Sequence, residues 1–335
     1  MLIRNLVKGS KSLLIFHWDT DGVASAALLK KYLGHKTKLY TPLIGLYTLK
    51  YVRSSICKDV DNVLIVDFGV SNDEVKRFIS KCSRNTLIID HHHRRQDPDL
   101  NIIPYFIDSE PYPATSLLIS DNLNIEYNLL SIIGIVGDYG EAIYNSKYME
   151  LVEDVGRKYD TDIEELIMLS NLIDSNYMSG DRRKVVKAVD ILIKYFDKPR
   201  ELLNYTPWIR QCNDIMKEID KYTHVPPKKV GSNIYFLEIN SKYLITSSIG
   251  RSLARRYRGS YIIVGSPSLH RNYSQIYVRI HGDNKINLST IVDKLVEKGF
   301  YAGGKPNVFG VIVPKRKYNY LIQWIINELK GRYSY

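Results

Sequence analysis

Apolar and polar positions alternate between two periods along the first 160 residues. Leu13 to His17 is a short apolar run of the kind that forms a buried strand. Gly22 to Leu33 follows, with Val23, Ala26, Ala27, Leu29 and Tyr32 or Leu33 on one helical face and Thr20 or Asp21 placed to cap it. Short strands are predicted at Lys38 to Thr41, Asn62 to Asp67 and Thr86 to Asp90, with a helix from Asn72 to Cys82 between the last two. Strands that alternate with helices form parallel sheets. Ala114 to Asp121, Leu129 to Asp138 and Glu141 to Tyr159 read as helices that close this part of the chain.

From Asp181 to Tyr222 the pattern is helical and strongly charged, and Pro226-Pro227 then breaks it. Beyond the break, Ile234 to Glu238, Tyr261 to Gly265, Ile276 to Ile280 and Phe309 to Val313 read as strands. Ser248 to Tyr257, Leu288 to Lys298 and a C-terminal segment read as helices. The expected fold class is therefore α/β: a parallel-sheet domain over 1–180, a helical linker over 181–229, and a smaller α/β domain over 230–335.

At 44% hydrophobic and 25% charged residues the chain has the composition of a globular protein. No apolar run approaches the roughly 18 residues of a membrane helix, and the N-terminus lacks a signal peptide's apolar stretch, so a cytoplasmic, non-membrane protein is expected. Cys57, Cys82 and Cys212 are odd in number and far apart, which argues against both a disulfide framework and a cysteine zinc site. Charge divides unevenly. Residues 1–180 carry 19 Lys+Arg against 24 Asp+Glu, a net of −5, whereas 181–335 carry 28 against 12, a net of +16. A basic half beside an acidic half rich in His and Asp suggests a polyanion held by one and processed by cations held in the other.

The acidic half concentrates its polar residues where strands end. His17, Asp19 and Asp21 follow the first strand, Asp67 ends another, Asp90, His91, His92 and His93 end the next, and Asp138 closes a helix. In open parallel sheets the crevice at the carboxyl ends of the strands is the usual binding site. Asp19, Asp21, Asp67 and Asp138 could not stay ionised together there without cations. The spacing His-x-Asp-x-Asp lets alternate side chains of an extended strand end point the same way. Carboxylate and imidazole donors without thiolate suit manganese, magnesium or a related ion. Two such ions about 3.5–4 Å apart can share a carboxylate and activate water for attack on phosphorus, which predicts phosphoester hydrolysis.

Four ordered motifs carry a resemblance to a known family: His17-Trp18-Asp19-Thr20-Asp21-Gly22, Val66-Asp67-Phe68-Gly69, Asp90-His91-His92 and Gly137-Asp138. Together they resemble the DHH phosphoesterases, which include RecJ exonucleases, oligoribonucleases of the NrnA kind and manganese-dependent inorganic pyrophosphatases. The resemblance implies that His17 and Asp19 bind one metal, that Asp21, His91 and Asp138 bind the other, and that Asp67 bridges them. It further implies that His92 faces the phosphate while Asp90 orients the histidines. The implied cofactor is a pair of divalent ions, manganese first, with magnesium or cobalt as alternatives. One residue, Trp18, separates the histidine from the first aspartate, where pyrophosphatases carry three. This shorter form resembles RecJ-like proteins of archaeal type and points to a nuclease. His93 is left open between a solvated loop residue and a phosphate contact.

The family's substrate domain ends in a glycine-rich phosphate loop, and the corresponding run here is Ala302-Gly303-Gly304-Lys305-Pro306-Asn307-Val308-Phe309-Gly310, with Lys305 in the histidine's place. Arg279 resembles in position the family's phosphate-holding arginine. Arg251, Arg255 and Arg258 fall at helical spacing and read either as a backbone-tracking stripe or as a solvated face. The reading is thus a two-metal exonuclease or phosphodiesterase acting on single-stranded DNA or RNA, able to dock to a helicase or replication protein. Its rivals are a non-catalytic RecJ-like subunit and a small-molecule hydrolase of pyrophosphate or a cyclic dinucleotide. Oligomeric state is left open, a homo-oligomer included.

Overall fold

A computed structural model describes residues 3, 10–34, 36–82, 84–92, 97–103, 106–107, 110–270, 272–282 and 287–331. His93, Arg94 and Arg95 lie outside them. The chain divides into two units, residues 1–177 with 181–212 and residues 178–180 with 213–335. The segment expected as a linker is split between them, 181–212 belonging to the first and 213–229 to the second.

The first unit is built on five parallel strands: β1 (Ser12–Phe16), β2 (Thr37–Tyr40), β3 (Asn62–Val66), β4 (Asn85–Ile89) and β5 (Asn101–Ile102). Their order is β2-β1-β3-β4-β5. Every residue of β1 and β3 is buried, because a parallel sheet is covered on both faces and its central strands are apolar throughout rather than alternating. The order reverses between β1 and β3, and a ligand crevice opens at such a switch point. α1 (Thr20–Leu33) leaves β1, and α2 (Asn72–Cys82) joins β3 to β4. A short ribbon, β6 (Phe106–Ile107) with β7 (Glu110–Pro111), precedes α3 (Thr115–Leu123) and α4 (Leu129–Tyr139).

α1 and α4 approach closely enough that glycine is required between them. A Cβ on Gly137 would lie 2.7 Å from Thr20 Cβ, and one on Gly134 would lie 2.9 Å from Asp21 Cγ. These contacts bring Asp138, one residue past Gly137, to the start of α1.

The expected helix Glu141 to Tyr159 is instead a 3-10 turn, Gly140–Asn145, followed by α5 (Met149–Lys158). Ser146 breaks it, since its hydroxyl donates to Ile143 O and accepts from Tyr148 N. α6 (Ile163–Met178), α7 (Arg182–Tyr195), α8 (Pro199–Leu203) and α9 (Thr206–Thr223) follow. The expectation of no disulfide is corrected: Cys57 and Cys82 are bonded, with Cα atoms 5.7 Å apart, and Cys212 is free. The chain folds back through β3 and α2 between the two, so their distance along the sequence does not keep them apart.

The second unit carries a six-stranded sheet of β8 (Lys228–Gly231), β9 (Ile234–Glu238), β10 (Tyr261–His270), β11 (Tyr273–Ile280), β12 (Tyr301–Lys305) and β13 (Val308–Pro314), in the order β12-β13-β11-β10-β9-β8. Only β9 and β10 pair in parallel, joined by the crossover helix α10 (Thr246–Arg256). α11 (Ser289–Glu297) and α12 (Tyr318–Lys330) complete it. One apolar cluster joins the sheet to α11 and α12 through Phe309, Leu295 and Ile325, and a second joins it to α10 through Ile262, Val264 and Leu253.

Two expectations change here, and one holds. Gly303, Gly304 and Lys305 form an edge strand that turns through Pro306 and Asn307 into β13, not an open loop. Arg279 lies on β11, the strand expected for it, at an interior place in the sheet. Arg258 falls beyond the end of α10, so only Arg251 and Arg255 share that helix. No helix among the described residues is long and apolar enough to cross a membrane.

Because overpacking a close contact costs about 1–3 kcal/mol, Gly134→Ala is expected to lower the urea midpoint and weaken Mn2+ binding together. Gly331→Ala, where an added Cβ meets nothing within 4 Å, is the control and leaves both unchanged.

Candidate metal centre

The centre forms where β1, β3 and β4 end. β1 stops at Phe16, and the chain turns through Trp18 so that Asp19, not Thr20 or Asp21, caps α1: Asp19 Oδ1 accepts from Gly22 N at 3.0 Å. The three donors of His17-x-Asp19-x-Asp21 therefore come from a strand end, a cap and a first helical turn, and not from one extended strand. Asp19 Oδ2 lies 2.8 Å from His17 Nδ1.

Asp67 follows β3 with φ +51°, a left-handed conformation that aspartate tolerates better than most residues. Its two oxygens face different ways. Oδ2 is 3.8 Å from His17 Nδ1, while Oδ1 is 3.7 Å from His91 Nε2 and 3.8 Å from His92 Nδ1. Asp138 Oδ2, on the last turn of α4, is 3.2 Å from His91 Nε2. Three sets of donors each fall within 4.8 Å: His17, Asp19 and Asp67; Asp21, His91 and Asp138; and Asp67, His91 and His92. All seven residues expected from the first unit as ligands or phosphate contacts converge. Asp90, buried behind them, accepts from His92 N at 3.1 Å and holds His92 Nδ1 at 2.7 Å. Gly303, Gly304, Lys305 and Arg279 belong to the second unit.

Sequence reasoning missed the residues that hold these donors in place. Thr115 opens α3, and its backbone N–H donates to Asp21 Oδ2 at 2.7 Å. Its hydroxyl donates to Asp67 Oδ1 at 3.0 Å and accepts from His91 N at 3.2 Å. Ser116 N donates to Asp21 Oδ1 at 3.0 Å. The N-terminus of α3 thus stabilises Asp21 with two amides and the positive end of its dipole. Asp174 of α6 accepts from both Thr20 N at 2.9 Å and Thr20 Oγ1 at 2.7 Å. A Thr-Ser pair before an apolar run signals only a helix start, and a lone aspartate in an amphipathic helix signals nothing. Trp18, Phe68 and Tyr47 form an aromatic wall on His17, with Tyr47 5.3 Å from its ring and 5.0 Å from Trp18.

The crowding of carboxylates governs the electrostatics. Burial, then the neighbouring Asp21, Asp19, Asp138 and Asp90, holds the Asp67 carboxyl well above the usual range. Burial and Asp138 raise Asp21 as well. Burial opposes the charged form of His91, but the close contact with Asp138 and the Asp21 carboxylate outweigh it and bring the ring to about 9. His17 is raised against the pull of burial by Asp19. Asp19 is in turn lowered, against burial, by His17 to about 2. Burial and Asp19 raise Asp174 to about 7.

The donor set fits divalent cations. Both ring nitrogens of His17 and Nε2 of His91 are buried, and among the described residues none makes a well-formed hydrogen bond; His17 Nδ1 and His91 Nε2 face carboxylates instead, Asp19 at 2.8 Å and Asp138 at 3.2 Å. His91 Nδ1 lies 3.0 Å from the Tyr112 carbonyl, which can only accept, so Nδ1 carries a proton. His91 Nε2 then meets the carboxylates of Asp138 and Asp67 either as a second N–H or as a lone pair. A lone pair beside two carboxylates is tolerable only with a cation between them. Fixing one imidazole nitrogen through a backbone carbonyl is how metal-binding histidines are oriented.

Residues 11–152 match the model of the DHH family, N-terminal domain. No curated protein sequence matches. Among solved structures the chain is similar to exonuclease RecJ bound to manganese, at 14% identity and a TM-score of 0.69, over 99% of this chain and 93% of that one. It is also similar to a pGpG-specific phosphodiesterase from Vibrio cholerae (14% identity, TM-score 0.56, 96% and 99% covered). A third is CDC45 from Entamoeba histolytica (10% identity, TM-score 0.57, 97% and 96% covered). At these identities the likeness is one of fold.

In chelator, the folded site holds protons that the unfolded chain releases. Asp174, raised from 3.8 to about 7, loses stability for the protein across that interval. His91, raised from 6.5 to about 9, contributes stability that is full below 6.5 and gone above about 9. Both signs agree, so Tm in chelator falls as pH rises from about 4 to about 9. Saturating Mn2+ is expected to abolish the fall by replacing protons, as pH-dependent scanning calorimetry would show. Thr115→Val removes the Asp67 hydrogen bond and is expected to weaken Mn2+ binding by calorimetric titration about tenfold, with Thr115→Ser restoring it.

Proposed function

We propose that the chain, whose residues 11–152 match the model of the DHH family's N-terminal domain, is a metal-dependent phosphodiesterase that degrades single-stranded nucleic acid from an end. The observation that carries this is the position of Asp67, whose two carboxylate oxygens serve two separate donor sets. His17, Asp19 and Asp67 would hold one ion, and Asp21, His91 and Asp138 the other, with Asp67 common to both. Bound manganese, or magnesium or cobalt, supplies the Lewis acidity that phosphoryl transfer needs.

The chain's own residues do the rest. Asp90 fixes His92 through Nδ1, so that the half-exposed ring presents Nε2 to a phosphate oxygen. Trp18 and Phe68 pack against His17 and keep water from that side. In the second unit Lys305 pairs with Val308, and Val308 with Arg279, so the two cations lie in one cross-strand row on one face. That row, in the half of the chain with a net charge of +16, suits the phosphates of a strand.

The likeness to the Vibrio cholerae pGpG-specific phosphodiesterase supports a second reading, in which short 5′-phosphorylated dinucleotides are the substrate. The likeness to CDC45 bears on a replication partner through fold alone. Single-stranded DNA and RNA, labelled at either end and incubated with Mn2+, Mg2+ or chelator, separate these. Metal-dependent ladders establish the exonuclease, and the surviving label gives its polarity. Cleavage confined to dinucleotides establishes the second reading, and no cleavage of any strand overturns both. Asp67→Ala is expected to lower the rate by at least about 10²-fold; retention of most activity would remove Asp67 from its bridging place.

A further inference from the structure

A pocket of about 510 Å³ lies beside the carboxyl end of β2, lined by Tyr40, Leu43, Tyr51, Arg53, Ser55, Ile56 and Arg182. It holds none of the residues of the metal centre. Its lining contains two guanidinium groups, two phenol rings and no carboxylate. Arg182 of α7 lies 4.5 Å above the Tyr40 ring and donates Nε–H to Thr41 O at 2.8 Å, which sets its orientation. Arg53 is exposed and, among the described residues, makes no ion pair or side-chain hydrogen bond. Neither arginine is paired with a carboxylate among the described residues.

The segment that forms the pocket also reaches the metal centre. Residues 41–53 leave β2 and carry Tyr47 onto His17 and Trp18, and four residues later Tyr51 lines the pocket. The two tyrosines are separated by at most about 14 Å of chain. Glu74 of α2 pins the segment between them, since its carboxylate accepts from Thr48 Oγ1 and Leu49 N, and from Lys50 N at 3.2 Å. A strand leaving the metal centre along this segment meets the exposed rings of Tyr47 and Tyr51 and then the charge of Arg53.

The geometry points to this pocket as a nucleotide subsite: Arg53 and Arg182 take a phosphate of the strand beyond the one being cleaved, and Tyr51 takes the adjoining base on its ring. Guanidinium forks match phosphate oxygens, aromatic faces accept any base, and the volume is that of a small-ligand site. The assignment deepens the nuclease reading and rests on it.

The test compares wild type with Arg53→Ala, Tyr51→Ala and Arg53→Lys on a labelled DNA decamer. Arg53→Ala is the principal variant, because Arg182 also holds a backbone carbonyl and its loss could disturb folding. KM is expected to rise about tenfold for Arg53→Ala, with kcat within twofold, and the slope of log affinity against log salt to fall by about one. Tyr51→Ala is expected to raise KM with the salt slope intact, and Arg53→Lys to keep the slope and lose part of the affinity. Lys81→Ala, an exposed cation of α2 outside the pocket, is expected to change neither quantity. Wild-type KM and salt slope for Arg53→Ala overturn the subsite. If wild type cleaves no decamer, the nuclease reading falls by itself, and fluorescence anisotropy of the decamer in chelator still decides the pocket: tenfold weaker binding by Arg53→Ala sustains it, and equal binding overturns it.

Discussion

Everything in the first unit answers to one electrostatic constraint, the convergence of Asp19, Asp21, Asp67 and Asp138 at the end of a buried sheet. Carboxylates at such distances cannot all be ionised without positive charge among them. Protons on Asp67 and the histidines satisfy the constraint in one way, and divalent cations satisfy it in another that leaves the carboxylates charged and the imidazole nitrogens as donors. The buried nitrogens of His17 and His91, which face carboxylates without well-formed hydrogen bonds, are the structural mark of the second solution.

Holding like charges together requires a rigid frame. α3 supplies it from one side, where Thr115 alone connects three of the four motifs through its amide and its hydroxyl. α4 supplies it from another, where Gly134 and Gly137 allow the helix to lie against Thr20 and Asp21. Asp174 locks Thr20 from behind. Each of these residues limits the movement of a donor or of the backbone beside one. Asp67 accepts a left-handed backbone as part of the same arrangement, a small strain retained because β3 and β4 determine the position on both sides.

The second unit has a different logic. Its mixed sheet is covered by helices on both faces, and its edge strand β12 ends in the Pro306-Asn307 turn with Lys305 at the rim. A positive charge on an edge strand discourages further strand pairing and leaves the side chain available to an anion. The pairing through Val308 sets Arg279 in the same row, so one strand register places two cations that lie 26 residues apart in the chain.

Sequence alone determined the alternation of strands and helices in the first unit, because buried parallel strands and amphipathic helices leave unmistakable periods. It also placed six of the seven converging residues at strand ends, which in a parallel sheet open on one crevice, with Asp138 entering from the end of α4. Only the tertiary structure decided what holds them. Thr115 meets Asp67 from 48 residues away and Asp174 meets Thr20 from 154, and neither spacing leaves a trace in local pattern. The same is true of the bond between Cys57 and Cys82, of the strand formed by Gly303, Gly304 and Lys305, and of the pocket that joins Arg53 to Arg182. Periodicity reports which face of an element is buried, and the pairing of one element's residues with another's is fixed only when the whole chain has closed.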